Sequence, residues 1–160
     1  MLNWLYHRNQ RKRIAFWTDV LSDFEASETT AASDYDAIAL TYPVVILGLS
    51  EKLALPAETI YAPRDISIQR RLLILQFLDK EAERIAAINE SDESLMLYCH
   101  DLLHVLHRAC YHHADQPHIE PEASRAIADR AIDASCRLFE RGNRQIALLN
   151  TGGLQNQPVH

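Results

Sequence analysis

A chain of 160 residues that is 48% hydrophobic is long enough for one buried core and too apolar to be disordered. Its 4 glycines and 6 prolines leave too little punctuation for a many-stranded fold, and its longest apolar runs, residues 43–49 and 72–75, are too short to cross a bilayer. The net charge of −6 disfavours a general nucleic-acid partner, and Cys99, Cys110 and Cys136, without a CxxC pair, point to reduced cytoplasmic thiols rather than a zinc ribbon or a disulfide framework.

Residues 1–7 place apolar side chains before the basic cluster Arg8, Arg11, Lys12 and Arg13, the reverse of a secretory leader. Ile14, Trp17, Leu21 and Phe24 recur at helical spacing, so a first amphipathic helix is expected over Leu2–Glu28. Trp and Leu beside Arg and Lys also suit a lipid headgroup boundary, but four charges are few, and core packing explains Ile14, Trp17 and Phe24 more economically. A loop is expected over Thr29–Ser33, with Ser33 and Asp36 as a capping pair. Tyr35, Ile38 and Tyr42 make the apolar face of a second helix, which Pro43 either kinks or ends. Val44–Leu49 is apolar on all sides and reads as a buried segment; no partner strand exists for it, which favours helix.

Pro56 and Pro63 mark Leu55–Arg64 as the longest internal connection, and Asp65 is the expected cap of the next helix. Over Ile66–Asn89 the stripe Ile68, Leu72, Leu75, Leu78, Ala82, Ile85 and Ile88 steps by threes and fours. Ser91–Ser94 reads as a cap and acidic first turn ahead of a helix over Leu95–His113. A polar loop follows, and Pro121 stands at the first position of a last helix that runs to about Leu149. Ile127, Ala131, Ala134, Leu138 and Phe139 supply its buried side, and Gly142 is a candidate break. The expected protein is all-α, one bundle of five to six helices over residues 1–150, followed by a mobile tail over 151–160.

The most informative pattern lies on the fifth segment. At about 100° per residue, His100, His104, His107 and Tyr111 fall on one stripe. Leu95, Cys99, Leu102, Leu103, Leu106 and Cys110 gather about a quarter-turn or more away, which places the imidazoles at the rim of the core or in solvent and makes the two thiols inert core residues. The plain reading is boundary histidines hydrogen-bonded to neighbours or water. The sharper reading is a divalent metal such as zinc, with His100 and His104 at i and i+4 sharing an ion and Asp101, His107 and His118 as further ligands; His7 is another source. Neither HExxH nor the pair of Glu-x-x-His helices of a carboxylate di-iron bundle is present, although Asp101 and His104 have that spacing once, with Asp for Glu.

Two short elements on this helix look like parts of known families. His100-Asp101 resembles the central doublet of HD-type phosphohydrolases, which implies an all-α fold and a metal held with an earlier His, for which only His7 precedes, and a later Asp, Asp129 or Asp133. Arg108 and His113, with four residues between them, are similar to the Arg-x4–6-His element of HEPN-type helical RNases; such a pair would hold phosphate with the cation and move a proton with the imidazole.

No complete catalytic set, Gly-rich phosphate loop or GxSxG motif is present, so the expected role is protein binding: a regulator, an adaptor or an inhibitor of a toxin or enzyme, bacterial and cytoplasmic, with a protein partner or a second copy. Trp4, Tyr6, Arg8, Arg11 and Trp17 are the residue types that dominate binding hot spots, and Arg137, Arg141 and Arg144 share a face able to grip an acidic partner or phosphate. The competing class is a metal-dependent hydrolase or RNase-like enzyme centred on His100, Asp101, His104 and His107.

Overall fold

The computed structural model describes residues 2–30, 32–64, 66–88, 91–111 and 121–155. Among the described residues it is all-α, with six helices: α1 (Leu2–Thr30), α2 (Ala32–Leu53), α3 (Ala57–Tyr61), α4 (Ile68–Ala86), α5 (Ser91–Tyr111) and α6 (Pro121–Gln155). Among the described residues none of these is long and apolar enough to cross a membrane.

Several boundaries depart from the sequence reading, each for a local reason. Ser33 lies inside the first turn of α2 rather than ahead of it, and Asp36 pairs with α6 instead of capping. The 55–64 connection contains α3, which starts after Pro56, a residue whose fixed φ suits a helix entrance. Asp65, the expected cap of α4, is outside the described residues; the hydroxyl of Ser67 accepts from the Arg70 N–H and caps the helix at Ile68. Pro121 opens α6 as its missing N–H allows, and the helix continues to Gln155, through five residues assigned to the tail.

The core has two connected parts. Tyr35, Tyr42, Ile46 and Leu49 of α2 pack with Ile60 of α3, Ile74 and Leu78 of α4, Cys99 and Leu103 of α5, and Leu138 of α6. Leu21 of α1 packs with Leu106, Ala109 and Cys110 of α5 and Ile127, Ala131 and Ala134 of α6. Thus α5 and α6 both feed the two parts, and α5 is central in the sense that α4, α6 and α2 flank it. Two faces differ in part from what periodicity predicts. On α4 the buried residues are Ile74, Leu78 and Ile85, while Ile68 and Leu72, and Ile88 just beyond the helix, are exposed. Both sets have helical spacing, because residues 72–75 are apolar around most of a turn. On α2, Val45, Ile46 and Leu49 are buried but Val44 and Leu47 face out, so this segment is a one-sided stripe.

At the α2–α6 crossing, Pro43 sits inside a continuous helix. It has no N–H to offer the Ala39 carbonyl four residues earlier, and its ring crowds that carbonyl. Gly142 of α6 lies directly against this spot: a Cβ there would overlap the Ala39 oxygen and approach Pro43 Cγ to 2.6 Å. Glycine here permits close contact between two helix backbones; it does not break α6. Nearby, the buried Tyr42 hydroxyl is 2.9 Å from Ser135 Oγ, so each satisfies the other. Tyr42→Phe should lower stability by about 1 kcal/mol in urea unfolding, and Tyr42→Phe with Ser135→Ala should cost less than the two single changes added together.

Candidate functional site

The imidazole stripe lies inside the protein, not at its rim. His107 is 1% exposed and His100 5%, and His104 is half-buried. A wheel weighs only hydrophobicity, so it assigned the inward side to the leucines. A central helix has two inward sides, and α4 covers the second: Asp79 reaches His104, and Tyr111 Oη donates to the Ile68 carbonyl.

The three rings are in different states. His107 Nδ1 lies 3.2 Å from the Leu103 carbonyl, and because a carbonyl only accepts, Nδ1 carries the proton and Nε2 is a bare acceptor. That Nε2 is buried and has no partner among the described residues. Burial pushes the ring's pKa down to about 4, opposed by the hydrogen bond to the Leu103 carbonyl, so His107 is neutral at pH 7. Burial also lowers His100, opposed by the nearby Glu81 carboxylate. Its Nδ1 is unpartnered among the described residues, and it borders a cavity of about 70 Å³ shared with Lys52, Glu81 and Arg84. His104 Nε2 is 3.0 Å from Asp79 Oδ1 and 3.3 Å from Arg108 Nε. Protonated, that nitrogen donates to the carboxylate; bare, it accepts from the guanidinium. Burial holds this ring too below its ordinary pKa.

Among the described residues, therefore, the stripe does not assemble as an ion site. Asp101 is exposed while His100 beside it is buried, as successive helix positions about 100° apart require, so the doublet is divided between solvent and core. Among the described residues no three His, Cys, Asp or Glu side chains converge to hold a metal. His118 and His113 lie outside the described residues, as does the side chain of His7. Asp129 and Asp133 lie on α6 among arginines: Asp133 pairs with Arg64 at 3.1 Å, and Asp129 lines a cleft with Arg64, Arg71 and Arg125. The thiols of Cys99 and Cys110 are pushed up to about 12 by burial and are held as core groups.

Two of the three arginines read as a partner grip are instead bound within the molecule. Arg137 is bidentate to Glu28 at 3.1 and 3.2 Å, and Arg141 reaches Asp36 at 2.9 Å while lying over the Tyr35 ring at 4.7 Å. Arg130 adds a bidentate pair with Glu25, whose carboxyl that hydrogen bond holds below its usual pKa. These contacts fasten α1 and α2 to α6; Arg144 is exposed. The signal was in the sequence as three acids, Glu25, Glu28 and Asp36, opposite three arginines, but pairing across about a hundred residues is not visible along the chain.

The α1 residues divide similarly. Trp17 packs on the second core part and lines a cleft with Leu72, Leu75 and Arg108. Its neighbour Phe16, which the sequence reading passed over, is 57% exposed, and the two rings meet edge to face at 5.3 Å. Trp4 is 64% exposed with the Arg8 guanidinium 5.5 Å from its ring centre, and Arg11 and Lys12 are exposed beside them. The side chain of Tyr6 lies outside the described residues. No protein-family model matches this chain, and neither the curated proteins nor the solved structures give a match to it.

Proposed function

We propose that this protein acts by binding another protein through the outward face of the first half of α1. One observation carries this reading: two large aromatic side chains, Trp4 and Phe16, stand mostly in solvent on a helix whose neighbouring exposed positions are Leu5, Arg8, Arg11 and Lys12. Aromatic and arginine side chains supply most interface energy when a partner excludes water from them, and exposing them otherwise costs solubility. The cations favour an acidic partner surface with an apolar groove, and they speed its capture. A regulator, adaptor or inhibitor of an enzyme would use such a face.

The test is photo-crosslinking from p-benzoylphenylalanine at Trp4 in cells of the source organism, repeated at the exposed Asp101 as a control. A discrete protein adduct is expected from the first position only. Phe16→Ala with Arg11→Gln should abolish it while leaving the thermal melt unchanged, since exposed substitutions shift stability by less than about 0.5 kcal/mol. Equal adducts from both positions, or adduct formation indifferent to the two changes, would remove the α1 face from consideration. Sedimentation with anionic lipid vesicles instead of protein capture would replace the reading by surface attachment to a membrane.

A further inference from the structure

The protein contains a second polar feature, away from the exposed α1 face, that neither the histidine row nor that face uses. Between the start of α4, the end of α5 and the early turns of α6 lies a cleft of about 420 Å³, within the size range of small-ligand sites. Arg64, Arg71 and Arg125 line it, with Asp129 on one wall and Cys110 and Ile132 among its apolar lining. We propose that this cleft binds a small phosphate monoester.

Arg71 is the anchor. Its Nη2 donates to the Pro63 carbonyl at 2.9 Å and its Nη1 to the Cys110 carbonyl at 3.3 Å, and its guanidinium lies 5.5 Å from the centre of the Tyr111 ring. Among the described residues its hydrogen-bond partners are thus neutral carbonyls. Its Nε is buried and has no partner among the described residues, and none of their carboxylates pairs with it. A guanidinium stays charged at any physiological pH, so a half-buried one whose described partners are carbonyls and an aromatic ring attracts an anion. Arg64 gives one nitrogen to Asp133, at 3.1 Å, and has further donors. Arg125 is exposed on the wall that α6 provides.

Three guanidinium cations from three segments, with N–H donors on Arg64 and Arg125 left free among the described residues, suit a group with three or more acceptor oxygens better than a carboxylate, which one fork satisfies. Asp129 decides the rest of the ligand. A carboxylate in the same cleft repels a polyanion but accepts from a hydroxyl, which selects a phosphate joined to a hydroxylated body over a nucleic-acid backbone.

The probe is ribose 5-phosphate, with ribose as the control, followed by calorimetry and by NMR of arginine Nε–H signals. Saturable binding by the phosphate and none by ribose is expected, with the Arg71 Nε–H signal shifting. Arg64→Gln and Arg125→Gln, both exposed positions that leave the melt intact, should each weaken binding roughly tenfold, as loss of one charge-assisted hydrogen bond does. Arg11→Gln on α1 should leave it unchanged, which separates this site from the protein-binding face. No saturable binding at millimolar ligand, binding insensitive to Arg125→Gln, or adsorption only to vesicles containing phosphatidic acid would each overturn the proposal.

Discussion

Gly142→Ala should destabilise the protein by roughly 3 kcal/mol, the opposite of what glycine-to-alanine replacement does in an ordinary helix. The added Cβ would overlap the Ala39 carbonyl oxygen and lie 2.6 and 2.7 Å from Pro43 Cγ and Cδ. Neither neighbour can yield cheaply. One is helix backbone, and the other is a ring without alternative rotamers. Relief must come from moving α2 and α6 apart, which loosens the packing of Tyr42, Ile46 and Leu138 around the crossing. Gly48 is the internal control, since a Cβ there meets nothing within 4 Å. Gly48→Ala should therefore stabilise by up to about 1 kcal/mol through helix propensity alone. Urea midpoints of the two variants should move in opposite directions; a rise for Gly142→Ala would show that α2 and α6 do not meet backbone to backbone.

The second large effect is acid sensitivity through His107. Its folded pKa, about 4, lies below the ordinary histidine value of 6.5, because protonating the ring would place a charge in the apolar interior. The unfolded chain therefore binds the proton more readily. The contribution is complete above pH 6.5 and is lost progressively as pH falls toward 4. The loss is roughly 2 kcal/mol at pH 5 and about 3 kcal/mol at pH 4. His100, also depressed by burial, acts in the same direction. Glu25, whose carboxyl is lowered by Arg130, loses its contribution only below its ordinary value of 4.5, so it does not shape the upper part of this window. Urea unfolding at pH 7 and pH 5 should show the fall in the native chain. His107→Phe, similar in volume and without a titrating group, should flatten it. An unchanged stability between those two pH values would mean that the ring reaches water.

Helix identity was legible along the chain because it depends on neighbours in sequence. Three- and four-residue apolar steps, Pro121 at a helix entrance and the absence of paired strand patterns act over one or two turns. The candidate site was less legible. Trp4, Arg8 and Arg11 were visible as hot-spot residue types, yet nothing local distinguishes the exposed Phe16 from the packed Trp17 beside it. Arg71, the anchor of the proposed phosphate site, borders an apolar run and carries no local signal of its role; its partners are carbonyls of Pro63 and Cys110, contributed by other segments.

The amino-acid sequence alone determined that this chain is helical, roughly where each helix lies, and that α5 carries imidazoles on one side and leucines on the other. Tertiary packing alone decided which sides are dry. Placing α5 between α4, α2 and α6 buries two of its faces at once, so His107 is desolvated although its neighbours along the helix did not predict it. The reason is that hydrophobic periodicity reports a helix's preference for one apolar contact, whereas burial is set by how many elements surround it.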